Sequence, residues 1–145
     1  AETYIEELFM KVVQQTIGLS TRRRCEMIDI TSQVENVVRE SGIQDGQATV
    51  YTPHTTAAVT INENADPDVV HDLLLTLEAL IPVNRPGYRH GEGNSDAHVK
   101  SSLVGCSERV LLQQGRLVLG TWQGIYFCEF DGPRSRKVIV QVLGL

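Results

Sequence analysis

The chain has 145 residues, of which 41% are hydrophobic and 21% charged, and its formal net charge is −5. This length and composition are typical of one globular domain with a sizeable core, so we expect a single domain over residues 1–145. The acidic balance argues against broad nucleic-acid binding, which depends on neutralising phosphates with Lys and Arg. No run approaches the roughly 20 apolar residues that span a membrane, and the first residues lack the layout of a signal peptide. The composition therefore argues against broad nucleic-acid binding and against a membrane span, and it leaves a small local anion site open.

The first half of the chain predicts strands and one helix. β-branched and alternating residues predict strands at 9–19, 25–31, 47–52 and 56–62. Ser32 and Glu35 have the spacing of a capping box, and Gly42 is a natural stop. A first helix should therefore run from about residue 32 to residue 41.

A second main helix should follow the sequence Asp66-Pro67-Asp68. Asp66 can cap it, Pro67 fits its first turn, and Pro82 should end it. Its buried face is expected to consist of apolar residues at helical spacing: Val69, Val70, Leu73, Leu74, Leu77 and Ile81.

The second half begins with a polar, glycine-rich loop over residues 83–96, and a loop this long is more often functional than idle. A short helix at about 97–104 should follow, capped by Ser95 or Asp96. The remainder predicts strands at 108–113, 116–122, 124–130 and 136–143. No glycine-rich phosphate loop precedes a helix, which argues against nucleotide-binding folds. The order of elements predicts an α+β fold with a mostly antiparallel sheet and two main helices.

Three cysteines, Cys25, Cys106 and Cys128, are odd in number and far apart. None forms a Cys-x-x-Cys pair, so we expect reduced thiols in a cytoplasmic protein rather than a disulfide framework. Cysteines of this kind usually pack as small hydrophobes, and a catalytic thiol is the alternative.

The segment from His54 to Glu63 places polar side chains among small apolar residues on one extended stretch. His54, His90 and His98 are three of the four histidines, and three imidazoles can hold a zinc-like divalent ion with one open position. Their spacing matches no short zinc signature, so hydrogen-bonded histidines that line a polar cleft are the alternative. His71, the fourth, lies off the apolar stripe of its helix and should be exposed.

Carboxylates offer proton carriers near these histidines. Glu63 is our preferred general acid or base, because burial near a histidine can move a carboxyl pKa toward neutrality. Asp68 and Asp72 share one helix face, where like charges repel. Either a bound cation or an ordinary solvated face explains that pair.

Two basic clusters could bind phosphate. One is Arg22–Arg24, and the other combines Arg134, Arg136 and Lys137. Guanidinium groups suit bidentate phosphate binding if these turns reach a cleft; otherwise they are solvated turn charges. Trp122, the single tryptophan, either packs in the core or stacks on a planar heterocycle.

Several ordered blocks of the chain resemble the YjbQ-like family of secondary thiamine-phosphate synthases. The blocks are Ser107 to Ile125 with Gly120-Thr121-Trp122-Gln123, His54-Thr55-Thr56-Ala57 with Asn62 to Asp68, His90 to His98, and Glu129 to Arg134. The resemblance covers nearly the whole chain after about residue 9, and Ala1–Leu8 looks like an extension.

This resemblance implies a β-sandwich-like α+β fold that assembles as a homotrimer. It also implies synthesis of thiamine phosphate, in which a pyrimidine diphosphate is joined to a thiazole phosphate with loss of pyrophosphate. Two alternatives are a metal-dependent hydrolase of a phosphorylated metabolite and a non-catalytic trimer that binds a metal or a metabolite. A histidine-rich set suits a zinc-like ion better than magnesium, which prefers oxygen ligands.

Residues and resemblance together predict the following site. The catalytic residues are expected to be His54, Glu63, Asp68 and His98. The metal ligands are expected to be His54, His90 and His98. The substrate-binding residues are expected to be Thr55, Thr56, Asn62, Asn94, Trp122, Gln123 and Arg134.

Overall fold

Two antiparallel sheets and three helices form the architecture seen in a computed structural model, which describes residues 9–145. The extension predicted at Ala1–Leu8 lies outside the described residues. In chain order the elements are β1 (Lys11–Ser20), β2 (Glu26–Asp29), α1 (Thr31–Ser41), β3 (Gly46–Tyr51), β4 (Ala57–Glu63), α2 (Pro67–Leu80), α3 (Ser95–Val104), β5 (Ser107–Gln113), β6 (Arg116–Leu117), β7 (Gln123–Glu129) and β8 (Ser135–Gly144).

The larger sheet has the strand order β1-β8-β3-β5-β6, and the smaller one has the order β2-β7-β4. Every strand pair is antiparallel, which confirms the α+β class predicted from the order of elements. In β8 the buried residues alternate with more exposed ones, as a strand with one face on a core requires. The main core lies between the two sheets and α1.

The smaller sheet is covered on both faces. Phe127 of β7 belongs to the main core, whereas its neighbours Tyr126 and Cys128 belong to a second apolar cluster with Ala97 of α3. Every residue of β7 after Gln123 is buried, which explains why this strand is a nearly continuous apolar run. The sheet is thus a rigid layer whose ends position the polar residues described below.

The helix ends differ in part from the sequence prediction. The capping box at Ser32 and Glu35 is not formed, because Asp29 Oδ1 already accepts from the backbone N–H of Thr31 (2.9 Å) and from its hydroxyl (2.6 Å). The predicted cap of α2 is confirmed, since Asp66 Oδ1 accepts from the N–H of Asp68 at 2.9 Å.

Three further predictions are wrong in extent. No side chain of α2 is fully buried; Val70, Leu74 and Leu77 are half-buried against the second cluster. Strand β6 covers two residues rather than 116–122, because the chain turns where Gly120 donates its N–H to the Gln123 side chain. Neither predicted residue caps α3, which begins after Asn94 without a side-chain cap bond. Within residues 9–145 no helix combines the length and apolar character that a membrane crossing requires.

Candidate functional site

Two adjoining hollows lie where β4 begins and β7 ends, and they share His54, Thr55 and His98 in their lining. We call the two together the histidine cleft. One hollow, of about 290 Å³, is also lined by Thr56, Glu92, Asn94, Asp131, Arg134 and Arg136. The other, of about 460 Å³, is also lined by Ala57, Ser101, Ser102 and Cys106.

His54 lies in the short segment between β3 and β4, and its ring is held by β8. Its Nε2 accepts the backbone N–H of Lys137 at 3.0 Å. Burial lowers the pKa of His54, and the positive charge of Arg136 lowers it further. The ring is therefore neutral at pH 7 with its proton on Nδ1, because Nε2 acts as the acceptor. His54 thus offers the cleft a fixed N–H donor.

His98 lies on the first half of α3, and the preceding loop brings His90 to it. The two rings meet edge to face, with centroids 5.2 Å apart and planes at 88°. The Nε2 atom of His90 lies 3.7 Å from Glu92 Oε2. The sequence prediction that His54 and the loop form two walls of one cleft is consistent with this arrangement.

The three histidines do not form a ready metal centre within one subunit. Between residues 9 and 145 no three His, Cys, Asp or Glu side chains are grouped so that they could hold an ion. His54 Nε2 is already occupied by the Lys137 amide, and its other ring nitrogen carries the proton. A zinc-like ion on His54, His90 and His98 therefore stays a prediction that these donors do not support in a single subunit.

Two buried polar atoms at the cleft lack a partner. Asn94 is 8% exposed and donates Nδ2–H to Asp131 Oδ2 at 2.8 Å, but its Oδ1 accepts no hydrogen bond within the described part of the chain. The Ser101 hydroxyl, on the next turn of α3 after His98, is also unpartnered there. Leaving a buried polar group unpaired costs about 1–3 kcal/mol. A ligand that hydrogen-bonds to these atoms would recover that free energy.

Arg134 supplies positive charge at the rim of the cleft. It donates from Nε to the Asp131 carbonyl and from Nη2 to Asp131 Oδ2, both at 2.9 Å. The side chain is half exposed, and its Nη1 has no partner among residues 9–145. Because Asp131 also accepts from Asn94, this carboxylate holds both residues in place along one wall.

A buried ion pair supports the floor of the cleft. Arg136 of β8 binds the carboxylate of Glu129 of β7 with both Nε and Nη2, and it also donates to the Thr56 hydroxyl at 2.8 Å. Burial alone would raise the pKa of Glu129, but hydrogen bonds from Arg136, then Thr21 and the Asp131 amide, lower it below its usual range. The pair joins the two sheets and positions the segment that carries His54.

The two basic clusters predicted from the sequence meet, with different roles. The turn after β1 and the turn before β8 are joined by backbone bonds from Thr21 N to Arg134 O and from Gly132 N to Arg24 O, both 3.0 Å. Arg134 faces the histidine cleft, whereas Arg24 forms a bidentate pair with Asp96 of α3. The turn before β8 therefore reaches the cleft, which is the condition for its arginine to bind a phosphate there.

The other predicted site residues lie elsewhere in the subunit. Asn62 and Glu63 end β4, and they pair with Gly124 and Gln123 at the start of β7. Glu63 lies six positions after Ala57 along β4, a distance of roughly 20 Å at about 3.3 Å per residue. Glu63 is therefore not a proton carrier for His54 within the same subunit.

Three further predicted site residues, Trp122, Gln123 and Asp68, also lie outside the histidine cleft. Trp122 is 61% exposed, so the expectation of core packing is wrong. The Gln123 side chain accepts the Gly120 N–H at 2.8 Å, which closes the turn before β7. Asp68 lies in the first turn of α2, away from the lining of the histidine cleft.

Sequence reasoning missed the residues that form the frame of the cleft. In the sequence, Glu129 and Asp131 stand out only as parts of a motif, and Arg136 only as a turn charge. A signal is present in the sequence, because Glu129 lies inside the apolar run 124–130, and a charged residue in such a run is buried only when it is paired. Its partner could not be identified from spacing, since Arg136 lies on the other sheet.

Comparison with known proteins agrees with this fold. The family model described as UPF0047 protein YjbQ-like matches residues 15–145. The UPF0047 protein YugU of Bacillus subtilis is 54% identical over 130 residues, which are 90% of this chain and 98% of the relative.

Two solved structures are also similar. A YjbQ/UPF0047 family protein from Clostridium acetobutylicum has a TM-score of 0.87 at 53% identity, covering 88% of this chain and 98% of that one. A YbjQ-like protein of unknown function from Sulfolobus solfataricus has a TM-score of 0.91 at 36% identity, covering 94% and 100%. The chain belongs to the YjbQ-like family, UPF0047.

Proposed function

We propose that the histidine cleft is the active site of an enzyme that acts on a phosphorylated small molecule. The reaction we propose is the formation of thiamine phosphate from a pyrimidine diphosphate and a thiazole phosphate. The observation that carries the proposal is that a neutral His54, held as a donor, and Arg134 line the same hollow. Both groups can donate hydrogen bonds to a departing phosphate group, on which negative charge develops.

The reaction requires charge stabilisation more than proton abstraction. A ring nitrogen of the thiazole attacks the methylene carbon of the pyrimidine, a C–N bond forms, and the C–O bond to the diphosphate breaks. Pyrophosphate leaves with the electron pair, so negative charge grows on the oxygen that was bonded to the methylene carbon. Donors fixed in advance around that oxygen lower the barrier. Arg134 Nη1 and the Nδ1–H of His54 are suitable donors, and neither needs a metal ion.

His98 is the proposed proton carrier, since it lines both hollows and is not tied to the backbone as His54 is. In its protonated form it would donate to the departing pyrophosphate. Asn94 Oδ1 and Ser101 Oγ are buried without partners in the described chain. They would orient the substrate, Asn94 Oδ1 by accepting a hydrogen bond and the Ser101 hydroxyl by donating or accepting one. Thr55 and Thr56 complete the polar wall.

We further propose that the protein works as a homotrimer in which a neighbouring subunit supplies the second group of predicted site residues. Asn62, Glu63, Trp122 and Gln123 lie together at the far end of the smaller sheet, and Trp122 is exposed there. Further large apolar side chains are exposed on the helices, including Leu80 and Leu103. Exposed apolar groups of this kind favour burial against another chain. Asp68 would belong to the same shared set.

The activity is tested with purified His54→Ala and His98→Ala proteins and the two thiamine precursors. We expect either substitution to lower turnover by about 100-fold, the effect of losing one fixed donor or proton carrier. His71→Ala is the matched control, because His71 is an exposed histidine on α2. Circular dichroism checks that each variant is folded. Turnover that is equal in all four proteins would overturn the proposal.

The shared site is tested by mixing two inactive variants. His54→Ala and Glu63→Gln protein, each with strongly reduced activity, would regain part of it when subunits are exchanged, because some clefts would then contain both native groups. Light scattering gives the oligomeric state. A monomer, or mixtures no more active than the separate variants, would contradict the subunit-shared site. The proposed activity itself is tested separately, by the alanine variants described above.

A cytoplasmic location and a zinc-like ion complete the proposal. The three cysteines are free thiols, which is in keeping with a reducing compartment. Elemental analysis of protein purified without a histidine tag tests the ion. Stoichiometric zinc that disappears in the His90→Ala variant would support a zinc site that uses His90, and its absence would leave the histidines as hydrogen-bonding groups.

A further inference from the structure

A second cavity, of about 420 Å³, lies between α2 and the opposite face of the smaller sheet from the main core. We call it the helix pocket, and it is lined among others by Cys25, Val70, Leu74, Leu77, Lys100 and Phe130. It shares no lining residue with the histidine cleft. Its volume falls within the range of about 300–1,000 Å³ that is usual for small-molecule sites.

One wall of the helix pocket is apolar and incompletely covered. Val70, Leu74 and Leu77 form the inner stripe of α2, but they are only half-buried. Phe130 forms part of the floor. Covering such surface stabilises a complex by roughly 25 cal/mol per Å² of apolar area removed from water. The pocket therefore favours a ligand with an apolar body.

The other wall carries an excess of positive charge. The Asp96 carboxylate is completely buried and is shared by two cations, Arg24 at 2.8 and 3.0 Å and Lys100 at 2.9 Å. The Lys100 side chain is only 2% exposed. Its ammonium has three N–H donors, and the one hydrogen bond that residues 9–145 offer it is to Asp96. One carboxylate thus faces two cations, and Arg23 adds a third charge at the rim.

The other titratable groups of the pocket do not balance this charge inside it. Burial raises the pKa of the Cys25 thiol, so Cys25 stays neutral. Glu78 and His71 lie on exposed positions of α2 at the mouth. Because Lys100 shares its counter-ion Asp96 with Arg24, a bound anion beside Lys100 would complete the neutralisation of this buried cation.

We propose that the helix pocket binds a small monocarboxylate with an apolar chain or ring, whose carboxylate accepts hydrogen bonds from Lys100 and whose apolar part packs along α2. Charge complementarity and the uncovered leucines specify the two ends of this ligand. The site is independent of the reaction proposed for the histidine cleft, because the two cavities lie on different sides of α3: His98 and Ser101 line one, and Lys100 lines the other.

The test uses octanoate and octan-1-ol as probes in isothermal titration calorimetry with the full chain. Octanoate is expected to bind once per chain and at least tenfold more tightly than octan-1-ol, which has the same chain but no charge. Lys100→Met should weaken octanoate by at least tenfold and leave octan-1-ol unchanged. This variant keeps the side-chain stem and the Arg24–Asp96 pair, so it should fold. Lys11→Met, at an exposed lysine of β1, is the matched control and should bind octanoate normally.

A second variant tests the apolar wall without touching the charges. Leu74→Phe should fill the pocket and abolish binding of both probes while the protein stays folded. His54→Ala, in the other cavity, should leave octanoate binding intact. Equal affinity for octanoate and octan-1-ol, or octanoate binding that survives both Lys100→Met and Leu74→Phe, would overturn the proposal. So would the absence of octanoate binding to the native protein, as expected if another subunit covers the pocket.

Discussion

The Nε2 atom of His54 accepts a hydrogen bond from the backbone N–H of Lys137 at 3.0 Å, across the gap between the segment before β4 and strand β8. A backbone N–H can only donate, so this contact decides which ring nitrogen of His54 carries the proton. From its sequence, His54 could be a base or a metal ligand. With Nε2 occupied, its role is instead that of a hydrogen-bond donor through Nδ1.

This contact predicts the titration of His54. Its pKa should lie below the value of about 6.5 for an unperturbed histidine, because burial, and then the charge of Arg136, disfavours the imidazolium. Nitrogen-15 NMR of the ring measures both the pKa and the tautomer. Lys137→Pro removes the donating N–H and should free the ring to exchange tautomers. A pKa above 6.5, or a proton on Nε2 in the native protein, would disprove the assignment.

The lowered pKa of His54 also predicts how the free energy of unfolding depends on pH. The unfolded chain binds a proton at His54 at a higher pH than the folded chain does, so the free energy of unfolding rises with pH between the two pKa values. His54 should therefore have no effect above about pH 6.5 and should destabilise the fold as the pH falls below it. Comparing urea unfolding of the native protein and His54→Gln from pH 8 to pH 5 isolates this effect. The glutamine keeps an acceptor for Lys137.

The buried pair Glu129–Arg136 should be costly to break. Glu129→Gln or Arg136→Leu leaves one buried charge without its partner, and we expect a loss of about 3–5 kcal/mol in the free energy of unfolding. Equilibrium urea unfolding measures it. Glu40→Gln is the control, because the bond from Gln15 to Glu40 is exposed and its loss should change stability by less than about 0.5 kcal/mol. A loss at Glu129 no larger than at Glu40 would contradict the structural role.

Asp96 predicts how stability depends on acid. Burial alone would raise its pKa, but hydrogen bonds from Arg24 and then Lys100 lower it to about 2. A lowered carboxyl pKa contributes stability above the unfolded value of about 3.9, and that stability is lost as the pH falls toward about 2. The difference in unfolding free energy between the native protein and Asp96→Asn should thus be constant above about pH 4 and shrink below it. A difference that vanishes already at pH 5 would refute the shifted pKa.

The sequence was sufficient for most elements and for one wall of the cleft. Alternating and helical patterns are local, so they predict α1, the strands other than β6, and the Asp66 cap of α2. His54 and His98 were recognised by residue type alone. The frame of the cleft was not predictable, because Glu129 with Arg136 and Asp96 with Arg24 are contacts between elements far apart in the chain. Glu63 is close to His54 in the sequence but not in the fold. The straight strand β4 lies between them and carries Glu63 to the opposite end of the sheet.

Gly132 tests whether the packing of two turns holds the cleft together. A Cβ atom at this position would lie 2.3 Å from the backbone oxygen of Arg23 and 2.8 Å from the Thr21 hydroxyl, and the backbone oxygen cannot move aside as a flexible side chain would. Gly132→Ala should therefore push the turn before β8 away from the turn after β1. We expect a loss of about 1–3 kcal/mol in the free energy of unfolding, the usual range for an inserted methyl without space.

The matched control is Gly18→Ala on β1, where an added Cβ meets nothing within 4 Å. Because Asp131 and Arg134 flank Gly132, its substitution should also displace the Arg134 guanidinium from the rim of the cleft. Turnover of the thiamine precursors, measured for both variants at a temperature where both are folded, separates the two effects. Stability and turnover equal to those of Gly18→Ala would mean that the close approach of the two turns does not position Arg134.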